Sequence, residues 1–506
     1  MIKITTIILL FVLAIPSIVG QELSWSEEVN IRGKAKMRRF LSGDTSGFSA
    51  VVAQYKTFGD PEAIVEEFEF PEMKSVNSYT ARTTEGDLET LVAIGGKTYA
   101  VILQNEPSNN ETQAFVRLAR NPTSPLHQVG AISYIRANQK GTFNFIESID
   151  HSKLLVVETP PYEKYKMEEF TFNMYDTTFD KLWEKKIKLP YLDQEFTIVQ
   201  NKVDRDGNVF LLTAYKSLVS KQSKPRGLPI KNYTVLIYNK EQNRLKEFNI
   251  SLKDKWVSGV NMEFNHAGDL MVGGFYNETS ENGISGTFYL VVDKTSLGVK
   301  KKSLNPFTET FLSGFPMNKK ERLESKLEDF YFDHFLIAED GSAFFTAEQY
   351  YVRTTSYFDQ RTGVTNYTYY YHYNDIIVVK MDAESNILWT QRVPKKQVTT
   401  NDNGDFSGYA AIPYGGGLKI LFNDNPKNLE DPNAIKPRAM NNPQRSRAVV
   451  LSLGSKGDIQ KKLLFDESEQ ETILQPKIQR QIGDHTLLLF TEKSRAFRFL
   501  KLVFSD

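Results

Sequence analysis

The chain has 506 residues, with 62 basic and 62 acidic side chains, 40% apolar residues and no cysteine. Zero net charge excludes a strongly basic nucleic-acid binder, and the apolar fraction excludes wholesale disorder. The missing cysteine excludes disulfides, thiolate catalysis and Cys-ligated zinc together.

Residues 1–20 read MIKITTIILLFVLAIPSIVG. Lys3 precedes an apolar run from Ile7 to Ile15, which Pro16 and Ser17 break before the small residue Gly20. That is the pattern of an export signal. The run, about ten residues, falls short of the roughly 20 that a membrane span needs. No later stretch is apolar enough to cross a bilayer. The chain therefore divides into a signal peptide, 1–20, and one domain, 21–506. An exported chain without cysteine fits a bacterial periplasm or outer cell envelope.

From there one pattern repeats to the end. An alternating strand leads through a tight turn into a strongly apolar strand. A loop of variable length, a third strand, a second tight turn and a basic-polar fourth strand follow. The first turn is clearest at Asp204-Arg205-Asp206-Gly207-Asn208 and recurs at Asn265-His266-Ala267-Gly268-Asp269 and Glu339-Asp340-Gly341-Ser342. The second recurs after Tyr175-Asp176, Tyr238-Asn239, Val292-Asp293 and Met381-Asp382. Such Asp, Asn and Gly turns supply the positive φ that hairpins need.

Second strands fall near 47–55, 97–104, 153–158, 209–215, 270–276, 342–348, 418–423 and 486–493. Four-stranded units recurring every 60 residues or so predict an all-β fold, a β-propeller of antiparallel blades. Eight blades are favoured. Seven is the alternative, if the first module, whose third strand (63–70) has no clear fourth, belongs to the closing blade. The last module ends on its third strand, 498–504. Leu23-Ser24-Trp25-Ser26-Glu27-Glu28-Val29 matches the fourth strands beginning Leu182-Trp183-Glu184 and Leu388-Trp389-Thr390. The N-terminal strand is therefore expected to complete the C-terminal blade and remove two free sheet edges.

Length variation is one-sided. The loops between second and third strands (158–168, 216–231, 277–286, 349–374, 423–446) and the inter-blade segment 305–325 are long, and all map to one face. Loops of this length inside a compact domain are as a rule either functional or disordered. Segment 349–374 carries Tyr350, Tyr351, Tyr357, Tyr367, Tyr369, Tyr371 and Tyr373. Its alternation predicts two strands running past the blade as a hairpin turned at Arg361-Thr362-Gly363. The tyrosines either offer a broad amphipathic surface to a protein or sugar or pack on the neighbouring blade. Asn423, Asp424 and Asn425 are oxygen donors suited to a hard cation or sugar hydroxyl, or to Asx-turns that fix their own loop. Lys221, Lys224 and Arg226, with Lys395, Lys396, Arg438, Arg445 and Arg447, form either a positive region that steers an anionic partner or a set of solvated cations.

Three of the six histidines, His151, His266 and His485, occupy equivalent tight turns and so are scattered around the ring, where they cannot converge on a metal. No nucleophile elbow, zinc-protease helix motif or P-loop is present. Asp333-His334, on a first strand facing the channel, is the one acid–base pair. No catalytic residue, metal ligand or cofactor is assigned.

The stretches WSEEV (25–29), YNDIIVVKMDAESNILWTQRVPKKQ (373–397) and GGLKILFNDNPKNL (416–429) resemble a family of exported, uncharacterised β-propeller-like proteins of Bacteroidetes-type bacteria. The resemblance spans most of the mature chain and implies a secreted propeller, without residues or a ligand to carry over. The reading that results is an exported, non-enzymatic binding or scaffold protein of the cell envelope. It is monomeric and meets a protein or glycan through the long-loop face. The alternative is an enzyme acting on glycan or peptidoglycan at the channel mouth.

Overall fold

The structure is a computed structural model. It describes residues 20–505 apart from 31–34, 55–61, 82, 84, 217–230, 253–254, 279–282, 294–295, 297, 385, 467–471 and 494–495. The expected signal segment, but for Gly20, lies outside the described residues.

Blade five shows why this sequence makes sheets. Its two middle strands, Leu270–Asn277 (LMVGGFYN) and Gly286–Val292 (GTFYLVV), are buried along their whole length. Aromatic and β-branched side chains fill both faces because a blade is covered by a neighbour on each side. The outer strand, Val299–Pro306 (VKKKSLNP), alternates exposed and half-buried residues, and its lysines discourage further edge pairing.

Eight such sheets follow one another, each antiparallel and laid out from the channel outwards in chain order, except that the outer strand of the eighth comes from the N-terminal end. Blade one comprises Ala35–Gly43, Gly47–Gln54, Glu62–Glu69 and Lys74–Ala81. Blades two to five span 87–133, 142–192, 196–250 and 256–306. Blade six is Phe330–Ile337, Ala343–Asp359, Val364–Met381 and Ile387–Val393, and blade seven spans 410–465. Blade eight is Ile473–Gln481, Thr486–Lys493 and Ala496–Ser505, completed by Gly20–Trp25.

The fourth strand of blade one, Lys74–Ala81, is the element that sequence reading failed to find. It reads KSVNSYTA and is mostly exposed, so it lacks an apolar alternation. The turn before it contains Pro71 and places Met73 at φ 56 instead of using Asp-Gly. With this strand present, eight blades stand and the seven-blade alternative falls.

Innermost strands of neighbouring blades touch around the ring. Between blades four and five the contact includes paired hydrogen bonds, Gln200 Nε2 to the Met262 carbonyl (3.1 Å) and Met262 N–H to Gln200 Oε1 (2.9 Å). Each of the eight seams holds its own buried apolar cluster among the described residues, from Leu41, Val65 and Leu91 between blades one and two to Phe40, Phe48 and Phe499 between blades eight and one. No described helix is long and apolar enough to cross a membrane.

Closure follows the expected pairing of the N-terminal strand with the C-terminal blade. Gly20–Trp25 pairs antiparallel with Ala496–Ser505, from Gly20 opposite Ser505 to Trp25 opposite Leu500, and Val29-Asn30 continues against Phe497 and Ala496. Ser26 locks the break between the two stretches. Its N–H donates to the Phe499 carbonyl (3.0 Å), and its Oγ accepts from the Phe499 N–H (2.9 Å). The Trp25 ring stands edge-on to Phe465 at 5.2 Å, under the Arg498 guanidinium at 4.7 Å. Trp25→Ala is expected to destabilise the ring by about 2–4 kcal/mol, read as a lower denaturant midpoint. An unchanged midpoint would place the closing strand outside the cooperative unit.

Candidate functional site: the ribbon and channel mouth of the long-loop face

The second and third strands of blade six run for 17 and 18 residues and carry a two-stranded ribbon beyond the blade. Period-two alternation of Tyr, Thr and Val sustains both strands past the sheet. The turn is where the sequence placed it. Gly363 (φ 67) donates to the Asp359 carbonyl at 2.8 Å, and Arg361 N–H donates to Asp359 Oδ1 at 2.9 Å. A short strand after blade six, Gln397–Thr400, pairs with the outer edge of the ribbon from Tyr373 to Tyr370, so the root is three strands wide and the tip two.

Cross-strand register divides the seven tyrosines. Tyr351 opposes His372 and Tyr357 opposes Asn366, on one face. Tyr350 opposes Tyr373, and Tyr367, Tyr369 and Tyr371 oppose Ser356, Thr354 and Val352, on the other. The aromatic groups therefore form two surfaces, one on each face of the ribbon. Depth divides them again. Tyr351 stacks on His372 at 4.4 Å, Tyr350 packs on Tyr373 at 4.6 Å, and Tyr371 OH donates to Asn403 Oδ1 at 3.2 Å. These four tyrosines build the root. Gly404, at φ 67, lies so close to Tyr373 that a Cβ would stand 2.5 Å from its ring. At the tip, Tyr357, Tyr367 and Tyr369 are 69%, 58% and 42% exposed, joined by Phe358 at 56% and Val364 at 52%. Phe358, already among the aromatics of this segment in the sequence, falls on the face of Tyr367, and Val364, which the sequence did not mark, on the face of Tyr357.

Beneath the root sits a buried charge. Lys395 is fully enclosed; its Nζ donates to the Tyr373 carbonyl (3.0 Å) and Gln397 Oε1 (2.8 Å) and lies 2.6 Å from Glu348 Oε1. Burial raises the Glu348 carboxyl to about 7; Lys395 opposes the rise and Asp333 adds to it. Burial likewise pushes the Lys395 ammonium down. Gln397 extends the network, accepting from Gly408 N–H and donating to the Asn423 carbonyl, both at 2.8 Å. Lys395 thus leaves the positive surface patch proposed from sequence and becomes an internal strut. Lys221, Lys224 and Arg226 lie outside the described residues.

Asn423 and Asp424 are buried. Asn423 Nδ2 donates to the Phe406 and Leu474 carbonyls, each at 2.8 Å, and so ties blade seven to blade eight. Asp424 accepts from Asn428 Nδ2 (2.7 Å) and pairs with the enclosed Lys461 (2.9 Å). Asn425 caps the 3-10 turn Pro426–Leu429 by accepting from Lys427 N–H. In this arrangement the three residues hold the loop.

The first strands of blades six and eight both bulge at the mouth. Asp333-His334 and Pro476-Lys477-Ile478 are the extra residues between ladder pairs, and a bulge re-aims side chains. Lys477 stands in the channel, exposed, and donates to Tyr373 OH at 3.0 Å. Surrounding protein pushes its ammonium down. Asp333 and His334 are 3.8 Å apart, beyond hydrogen-bond length, and the His334 ring is edge-on to the buried Tyr409. On the opposite face His151 contacts Glu147, His266 the Ala338 carbonyl and His485 the Tyr414 ring, at three separate turns. Among the described residues no group of three or more His, Asp or Glu is placed to hold a metal.

No protein-family model and no curated protein sequence matches the chain. Among solved structures it is similar to the β-propeller domain of the trilobed protease from Pyrococcus furiosus, at 10% identity and TM-score 0.38, covering 86% of this chain and 97% of that one. It is also similar to the WD40 domain of SCAP from fission yeast, at 10% and 0.43, covering 96% and 98%. A third likeness is to dipeptidyl peptidase 4 of Porphyromonas gingivalis, at 8% and 0.43, where 90% of this chain spans 57% of that one.

Two outcomes are expected of this face. Glu348→Gln leaves the Lys395 ammonium without its counter-charge and costs about 3–5 kcal/mol of stability, while the double variant Glu348→Gln/Lys395→Met recovers much of it in a double-mutant cycle. Glu168, buried at the long-loop end of blade three, is raised to about 7 by burial and by Asp193 beside it. A folded value above the ordinary glutamate value gives stability that is complete below the ordinary value and is lost as pH rises through about 7. Denaturant midpoints should fall for the native chain relative to Glu168→Gln as pH climbs through that window; parallel curves would refute the raised value.

Proposed function

We propose that this chain is an exported, non-enzymatic binding protein of the cell envelope and that the tip of the blade-six ribbon is its contact surface for a protein or glycan partner. The observation that carries the reading is the exposure of Tyr357, Phe358, Val364, Tyr367 and Tyr369 on an arm whose root is fixed by a buried ion pair. Large aromatic groups held out on a rigid arm lose little freedom on binding, and such residues dominate interface energy. Phe358, Tyr367 and Tyr369 share one face, which gives a continuous row, with Tyr357 behind it. The export pattern at 1–20, the absence of cysteine and the resemblance to exported Bacteroidetes-type proteins support the compartment. The channel-mouth enzyme reading would draw on Asp333 and His334, but Glu348 behind them is enclosed and engaged with Lys395.

A photo-reactive residue at position 358 or 367, irradiated in intact source cells, should give a discrete adduct. Phe358→Ser/Tyr367→Ser/Tyr369→Ser should weaken capture of that adduct's partner about 30-fold or more while leaving the melting temperature unchanged. Adduct-free irradiation, or undiminished capture by the triple variant, would overturn the reading.

A further inference from the structure

We propose that the short-turn end of the central channel is a binding site for a small oxyanion, free or carried as the phosphate or carboxylate group of a small molecule, gripped between the guanidinium groups of Arg39 and Arg480.

The two arginines come from the first strands of blades one and eight, on either side of the seam that closes the ring. They border one cavity of about 310 Å³, together with Thr90, Asn201, Glu147 and the apolar wall of Phe145. Arg39 donates to Thr90 Oγ1 (3.1 Å) and to the Leu91 carbonyl; Arg480 donates to the Leu41 carbonyl at 3.1 Å. Each guanidinium has five N–H donors, so most remain available. Among the described residues neither forms an ion pair with a carboxylate.

Among the described residues the one acid bordering the cavity is already engaged. Glu147 Oε1 accepts from the Ala93 N–H (2.8 Å), and Oε2 lies 2.7 Å from His151 Nδ1. The hydrogen bond to Glu147 and that carboxylate's charge raise the His151 pKa, while burial and the charge of Arg480 oppose the rise. Burial lowers the pKa of the Arg480 guanidinium, Glu147 opposes that shift, and the like charge of Arg39 adds to it. Two unpaired like charges beside a narrow, partly apolar cavity concentrate positive potential. Planar guanidinium forks match the paired oxygens of phosphate, sulfate or carboxylate, and a bound anion would relieve their mutual repulsion.

The test is calorimetric titration of the full chain with inorganic phosphate, sulfate, glycerol 3-phosphate and glucuronate at millimolar concentrations. Saturable binding of at least one is expected, weakening with added salt. Tighter binding of the inorganic ions identifies a free-anion site, and tighter binding of the organic pair a site for a group carried on a small molecule. Arg39→Gln and Arg480→Gln should each weaken binding about tenfold or more. Without ligand, Arg480→Gln should melt at or above the parent temperature, because it removes a like-charged neighbour. If it melts lower, Arg480→Lys decides the matter. Lysine keeps charge and stem but loses the fork, so binding about tenfold weaker at the parent melting temperature supports the site. Failure of all four anions to saturate the native chain, or undiminished binding in the arginine variants, overturns the proposal.

Discussion

Everything in this molecule depends on one non-covalent closure. Blade eight has three strands of its own, and its fourth, Gly20–Trp25, comes from the other end of the domain. The seam between blades eight and one is a phenylalanine cluster, Phe40, Phe48, Phe68 and Phe499, with Phe48 and Phe68 stacked 4.8 Å apart. Hydrogen bonds align the ends and apolar burial holds them. A ring clasped in this way has an apolar cluster at each of its eight seams, which explains how a cysteine-free chain of this size stays closed.

Closure also makes two unlike ends of one channel. At the long-loop end, cations and carboxyls are mostly matched. Lys395 faces Glu348, and Lys477 reaches Tyr373. This is chemistry that fixes position. At the short-turn end, Arg39 and Arg480 have no such partner among the described residues. The two ends need not serve one ligand; the ribbon reaches outward with aromatic groups, while the cavity between the arginines is small and charged.

How much of this was legible in the sequence follows from what the signals measure. Alternation and turn chemistry are local, so the blades, the hairpin turn at Gly363 and the ribbon strands could be read directly. The closing strand was legible because Leu23-Ser24-Trp25, with the acidic and apolar residues after it, is similar to the fourth strands that carry Trp183 and Trp389. The fourth strand of blade one was not, because an exposed edge strand such as KSVNSYTA carries little periodicity. Site residues were harder still. Alternation tells which tyrosines share a face within a strand, but only cross-strand register tells which faces coincide. Register is what sets Tyr357 and Tyr367, each in its own alternating series, back to back. Lys395 looked like a surface cation because a single charged residue gives no sign that a loop will fold over it. Arg39 and Arg480 stand nearly the whole chain apart and meet only because the ring closes.

Gly20 facing Ser505 has a further consequence. With the two ends of the domain side by side on an outer edge, ring geometry alone does not mark where the chain starts. A short linker across that edge, with a new break at a tight turn such as Gly415-Gly416, would keep all eight seams and change only which blade is assembled from distant pieces. The present arrangement makes the strand synthesised first wait for a partner 485 residues away, so its pairing comes last and is entropically the slowest. Where the ends lie therefore sets the order of assembly and leaves the architecture untouched.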